Sequence, residues 1–242
     1  HYYMTVVLNY ETGEVVWLRP ERKKETLMTF YRSLSDEQRA SIEAVAMDMW
    51  DNYIEATEES LPNASIVFDQ FHVVQTFGRV IDQVRIAEYS KAHARNRDVF
   101  KGAKYLLLRN RSSLRTRKER AHLKRLLALN RALSIVMILK DKLKHIWTYT
   151  DRTWAAKALR EWIALARTVR HQAVSDFCRM LKRHAYGILN HCDYAIHTSV
   201  LEGVNNKIKV IKRMAYGYHD LAYFALKVIQ AFKPKQLQLN GR

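Results

Sequence analysis

Residues 42–73 read IEAVAMDMWDNYIEATEESLPNASIVFDQFHV, and this stretch decides how the chain folds. It contains two apolar runs of strand length, at 45–48 and 64–69, and each run ends on an aspartate. Between them lies a segment whose apolar residues recur at the spacing of a helix. The pattern predicts a strand–helix–strand unit in which the two strands are parallel and buried.

The two aspartates, Asp48 and Asp69, are candidate metal ligands. In open α/β sheets, binding residues gather at the carboxyl ends of the strands. Neighbouring strands lie about 4.8 Å apart, so two carboxylates there could share divalent ions in a phosphoryl-transfer site. The alternative is that each aspartate only caps the helix that follows it. His72 could contact phosphate, orient an active-site group or simply hydrogen-bond locally.

The charge balance points to a polyanionic partner. The formal net charge of this 242-residue chain is +17. So much positive charge on a folded chain favours binding to nucleic acid, although a merely basic protein is the alternative. Two cysteines are too few for a disulfide framework and favour a reducing, intracellular compartment.

The flanking segments differ in character. Residues 2–18 alternate like a β-hairpin around Gly13, and a helix is expected after Pro20. From about 76 to 197 helical spacing recurs and proline is absent, so this region is predicted to be all-helical.

The helical region is also strongly basic. A solvated face usually mixes both signs of charge, so a run with few acids favours contact with a nucleic acid backbone. The candidate contacts are Lys101, Lys104, Arg109, Arg111, Arg115, Arg117 and Lys118.

A compact motif, LEGVNNKIKVIKR, occupies residues 201–213. Helical spacing places Glu202 beside Asn205, Asn206 and Lys209, and an apolar face on the other side. Glu202 is therefore a candidate third carboxylate, or else one half of a solvated Glu–Lys pair. On the first interpretation, phosphate contacts come from Lys207, Lys209, Lys212 and Arg213.

Three motifs together resemble one family. VAMDMWxxY, PNAxIVxDxFHV and LEGxNNKIKxIKRxAYGYxDxxYF run in order along the chain and resemble the bacterial insertion-sequence transposases of the ISL-three family. The resemblance implies an RNase H-like catalytic domain of the DDE class. It also implies Mg²⁺- or Mn²⁺-dependent DNA cleavage and strand transfer at element ends.

The resemblance carries over residue by residue. Glu202 matches the family's final acid, whereas the second acid has two candidates. In RNase H-like sheets the second acid follows strand four. With the hairpin as strands two and three, the run that ends on Asp48 is strand four, so this count assigns the second acid to Asp48. Asp69 with His72 then resembles the D-x-x-H element that follows strand five in related transposases. If the prominent D-x-F-H motif itself carries the second acid, that acid is Asp69 instead. The first acid would stand on a strand before His1, so this fragment alone is expected to be inactive.

The expected fold class is α/β, with an RNase H-like mixed sheet interrupted by an all-helical insertion. Residues 1–75 would begin the catalytic core, 76–197 form the basic insertion, and 198–242 complete the core. Expected partners are double-stranded DNA and a second copy of the chain, and the expected location is the bacterial cytoplasm, on the nucleoid when DNA is bound. The alternatives are a non-catalytic DNA-binding protein derived from a transposase and a structure-specific nuclease.

Overall fold

The computed structural model describes residues 3–196, 199–214 and 220–232, without the side chains of 94, 95, 111 and 199–202. The described chain is mixed α/β and mostly helical. It divides into two compact units, which we call unit 1 (residues 1–67 and 196–242) and unit 2 (residues 68–195).

The predicted hairpin is confirmed in unit 1. Strand β1 (Met4–Leu8) pairs antiparallel with β2 (Val15–Pro20), and Val6 lies opposite Leu18. The turn requires a left-handed backbone at Gly13, where φ is +72°. Glycine adopts that conformation without the steric cost that a Cβ would bring.

The strand–helix–strand unit is also confirmed. Strand β3 (Ala44–Met47) precedes helix α3 (Asp51–Ser60) and pairs with β4 (Ser65–Phe68). The resemblance implied one mixed sheet, but the described strands form two separate two-stranded sheets. No described strand hydrogen-bonds to both the β1–β2 pair and the β3–β4 pair, so the two sheets are not joined.

The hairpin is covered on both faces because its side chains alternate, and a register irregularity next to Leu8 turns Val15 to the same face as Leu18. On one face Val7 and Trp17 pack against an apolar cluster supplied mainly by helix α1 (Lys24–Arg32) and α3. On the other face Val15 and Leu18 join the buried residues of helices α11 (Ser199–Met214) and α12 (Leu221–Ala231), namely Val204, Phe224, Ala225 and Val228.

The remaining helices are short or lie in unit 2. Helix α2 (Asp36–Ala40) links α1 to β3. Unit 2 holds α4 (Gln70–Lys91), α5 (Ala103–Leu108), α6 (Arg117–Leu129), α7 (Arg131–His145), α8 (Arg152–Arg167), α9 (Gln172–Arg183) and α10 (Ala185–Leu189).

Every regular element described in unit 2 after Phe68 is a helix, as the spacing predicted for residues 76–197. Its centre is an aromatic cluster in which Phe77, Trp162 and Phe177 meet with ring centroids 5.0–5.6 Å apart. The indole N–H of Trp162 donates to the carbonyl of Leu139 at 2.8 Å, which satisfies the one polar atom of that buried ring. Helices α4, α7, α8 and α9 are thereby fixed around one core.

Candidate functional site

Asp69 and His72 are brought together at the start of α4. Asp69 Oδ1 accepts a hydrogen bond from the Phe71 backbone N–H at 2.9 Å, and Asp69 Oδ2 lies 2.8 Å from His72 Nδ1. The Asp69 side chain is only 6% exposed, whereas the imidazole of His72 is 43% exposed. The capping role that the sequence left open is therefore real for Asp69. The same carboxylate also orients the ring of His72.

Asp69→Ala is expected to lower the free energy of unfolding by about 2–3 kcal/mol, because it removes both the N-cap and the partner of His72. Asp69→Asn is expected to lose less, since its amide oxygen can still accept from Phe71. Urea denaturation with a constant m-value measures both. The matched control is Asp151→Ala, which removes an exposed N-cap that accepts from Trp154 at 2.9 Å. A loss no larger than that of the control would contradict the additional contribution of His72.

Asp48 has a different environment from Asp69. It follows β3 directly, but the N-cap of α3 is Trp50, whose side chain makes no capping hydrogen bond. The capping alternative is therefore wrong for Asp48. Its Oδ2 instead forms an ion pair with Arg22 Nη2.

Two aromatic rings hold Arg22 in position. Its guanidinium lies 4.5 Å from the ring centroid of Trp50 and 5.8 Å from that of Tyr53. The Trp50 indole N–H also donates to the Arg22 carbonyl at 3.4 Å. Arg22, Trp50 and Tyr53 were not among the site residues predicted from the sequence, although the two aromatics stand just beyond Asp48 within residues 42–73. Together they form a cation–π assembly around the carboxylate.

Tyr53 also connects this assembly to the hairpin. Its hydroxyl lies 2.8 Å from the hydroxyl of the buried Thr5. Burial raises the pKa of Tyr53 above its ordinary value and outweighs the opposing effects of Thr5 and Arg22. Tyr53 therefore remains a neutral phenol at physiological pH and serves as a hydrogen-bonding group.

The two candidate acids differ in their capacity to bind a metal ion. The Asp48 side chain is 25% exposed, and its Oδ1 accepts no hydrogen bond from any described residue. Asp69 is nearly buried and uses both oxygens within α4. Among the described residues no three His, Cys, Asp or Glu side chains form a metal-binding group. An open carboxylate oxygen is a hard ligand that fits Mg²⁺ or Mn²⁺, and Asp48 offers one.

Glu202 lies in α11, but its side chain is outside the described residues. The helix buries Val204 and packs Ile208 and Ile211 against the cluster that contains Val15 and Leu18, which confirms the predicted apolar face. Lys207 donates to the Ala231 carbonyl at 2.6 Å and so joins α11 to α12. The remaining cations of the motif, Lys209, Lys212 and Arg213, are exposed.

The predicted basic run of unit 2 separates into two groups. Three of its cations pair with acids: Lys101 with Asp98 at 2.7 Å, Lys104 with Asp82 at 2.9 Å and Arg109 with Glu119 at 2.7 Å. None of these pairs was predicted from the sequence. Arg111 is described only in its backbone.

The second group consists of Arg115, just before α6, and cations on α6 itself. Thr116 and Glu119 form a capping box that fixes the start of this helix. Leu123 and Leu126 are buried on one side. The exposed cations on the opposite side make no ion pair with a described residue, and we call them the α6 basic face: Arg115, Arg117, Lys118, Arg120, Lys124 and Arg125.

Comparison with known proteins places these features in a family. A family model described as a transposase, that of the ISL-three group of DDE enzymes, matches residues 1–228. The chain belongs to the ISL-three family of transposases. It is 40% identical over 235 residues to the transposase of insertion sequence element IS1001 from Bordetella parapertussis, covering 96% of this chain.

A more distant relative also matches most of the chain. The transposase of element IS1557 from Mycobacterium tuberculosis is 27% identical over 243 residues, covering 91% of this transposase chain. The chain spans 58% of the IS1001 protein and 54% of the IS1557 protein, about half of each. No solved structure matches it. None of the helices described here has the length and apolarity needed to cross a membrane.

Proposed function

We propose that this chain is the catalytic region of an insertion-sequence transposase, which cleaves DNA at element ends and joins them to target DNA. The observation that carries the proposal is the Asp48 carboxylate, held by Arg22 directly after β3, within a chain that matches the transposase family over residues 1–228. In this proposal residues 1–75 and 198–242 form an RNase H-like core, and residues 76–197 form a helical insertion.

A divalent metal ion is part of the proposal. Asp48 and Glu202 are the proposed ligands in unit 1, and Asp69 is the alternative for the second acid. Mg²⁺ or Mn²⁺ bound by such carboxylates supplies Lewis-acid stabilisation of the attacking and leaving oxygens. Arg22 contributes by fixing one oxygen of Asp48, so that the open Oδ1 has a defined direction.

His72 and the basic surfaces act on the DNA. Asp69 holds the imidazole of His72 in one orientation, as positioning of a phosphate or a nucleophile requires. The α6 basic face and the exposed cations of α11 are proposed to contact phosphates of double-stranded DNA. Two copies of the chain are proposed to act together, since an element has two ends to be paired.

A strand-joining assay tests this function. A labelled element end is incubated with target DNA and Mg²⁺ in the presence of a protein that contains this chain. A labelled product longer than the substrate is the expected result. Release of labelled fragments without joining would instead support a structure-specific nuclease. Binding without either product would support a non-catalytic DNA-binding protein.

A further inference from the structure

A groove on unit 2 has no role in the proposed function so far. It runs between α4, α5 and α7 and has a volume of about 440 Å³. Four of its ten lining residues are Lys or Arg, one is the acid Asp82, and Phe71 is its one aromatic residue. The residues that matter for its chemistry are Phe71, Arg79, Asp82, Lys104, Lys140 and Lys144.

Phe71 presents an apolar ring to solvent at one end of this groove. The residue is 51% exposed, although it lies in the first turn of α4. Its backbone N–H is held by Asp69, and its ring meets the ring of His72 edge-on at 5.6 Å. The ring therefore lies beside the imidazole of His72 and is not buried. It leaves a flat apolar surface available beside the Asp69–His72 pair.

The charge of the groove favours an anion. Arg79 is exposed and makes no ion pair with a described residue, and Lys144 Nζ has a neutral partner, Asn110 Oδ1, at 2.9 Å. Lys104 lies 2.9 Å from Asp82. Burial alone would raise the pKa of Asp82, but hydrogen bonds from Lys104 and Arg85 together lower it, so this single acid is ionised and already paired twice. The cations of the wall thus outnumber the acid.

The floor of the groove is cationic as well as rigid. The buried ammonium of Lys140 donates to the carbonyls of Leu107, Leu108 and Arg109 at 2.6, 2.6 and 2.7 Å. These contacts fix the last turn of α5 against α7, because the terminal carbonyls of a helix need donors. The positive charge of Lys140 is held in place and needs no rearrangement when an anion enters.

We propose that this groove binds one unpaired nucleotide of a DNA strand. The base stacks on Phe71, and the adjoining phosphates contact Arg79, Lys104 and Lys144. This inference rests on the proposed function, because it assumes that the chain acts on DNA. An aromatic ring within a positive groove is the arrangement that binds single strands without sequence preference. A paired base is unsuitable, since its two faces are covered by its neighbours in the duplex.

The test is fluorescence anisotropy with the whole chain and two probes at low salt: a short labelled oligothymidylate and a duplex of equal length. Phe71→Ala is expected to weaken binding of the single strand about tenfold, and Phe71→Trp is expected to restore it. Duplex affinity should remain within about twofold, because the α6 basic face is untouched. An abasic oligonucleotide should bind wild type and Phe71→Ala equally, since it has no base to stack.

Matched controls separate the groove from general effects. Tyr105→Ala removes an aromatic ring that is 72% exposed on α5 but does not line the groove, and it should change nothing. Arg79→Ala should weaken single-strand binding and reduce its salt dependence, whereas Arg160→Ala, at an exposed site on α8, should not.

Each remaining outcome is decisive. A Phe71→Ala chain that binds the single strand as tightly as wild type overturns the groove proposal. So does one that loses duplex and single-strand affinity equally. A wild-type chain that binds duplex but not the single strand overturns the groove alone. A wild-type chain that binds neither probe overturns the proposed function and the groove together.

Discussion

Asp48→Asn is expected to reduce metal-dependent strand cleavage about a thousandfold while leaving DNA affinity within about twofold. Asparagine keeps the size of the side chain but removes the charge that a divalent ion requires, and about 4 kcal/mol of transition-state stabilisation is lost with it. Cleavage of a labelled element end is the measurement, in a protein that contains this chain and cuts such ends. The control is Asp51→Asn, an exposed acid three residues further on.

A second substitution separates the two candidates for the second acid. Cysteine at a ligand position disfavours Mg²⁺, which prefers oxygen, and tolerates softer Mn²⁺ better. Asp48→Cys is therefore expected to be inactive with Mg²⁺ and partly active with Mn²⁺, whereas Asp69→Cys should show no such recovery. Recovery at Asp69 instead would reassign the ligand to Asp69. Wild-type cleavage by Asp48→Asn would contradict a catalytic role for Asp48.

Neutralising Arg115, Arg117 and Lys118 together is expected to weaken duplex binding about a hundredfold at low salt. Each phosphate contact contributes about 0.9 to the slope of log affinity against log salt, so the slope should fall by about 2.7. These three side chains are exposed and unpaired with any described acid, and their charges are therefore fully available to DNA. Titrations at several salt concentrations measure the slope.

The control for this triple variant removes the same net charge elsewhere. Lys23, Lys91 and Arg179 each pair with an acid, namely Glu21, Glu88 and Asp176. Replacing these three by alanine should leave the slope nearly unchanged, because they contact no phosphate in the proposed complex. Equal effects of the two triple variants would mean that total charge, and not the α6 basic face, governs binding.

Local pattern was sufficient to predict the elements that carry the site. The alternation around Gly13 predicted the hairpin, and the apolar runs before Asp48 and Asp69 predicted β3 and β4. The apolar face of α11 followed from helical spacing in the same way. Such patterns succeed because they reflect which side chains must leave water, and this depends on neighbours along the chain.

Interactions between distant parts of the chain could not be predicted in this way. Nothing in the sequence around Asp48 indicates that Arg22, 26 positions earlier, will pair with it. Similarly, Lys104 stands in a basic run but pairs with Asp82 of α4. The division of the strands into two sheets also depends on pairing partners that no local periodicity specifies. These features arise from tertiary packing.

The two-sided packing of the hairpin has a consequence for folding on the ribosome. One face of the hairpin is closed by α1 and α3, which are synthesised soon afterwards, but the other needs Val204, Phe224 and Val228. The chain must therefore complete some 200 residues before that apolar face leaves water, and contacts of such long sequence separation form slowly. Until then the face carrying Val15 and Leu18 is open to aggregation or to a chaperone. Stop codons before α12 should therefore yield insoluble chains, even though the whole of unit 2 has been made.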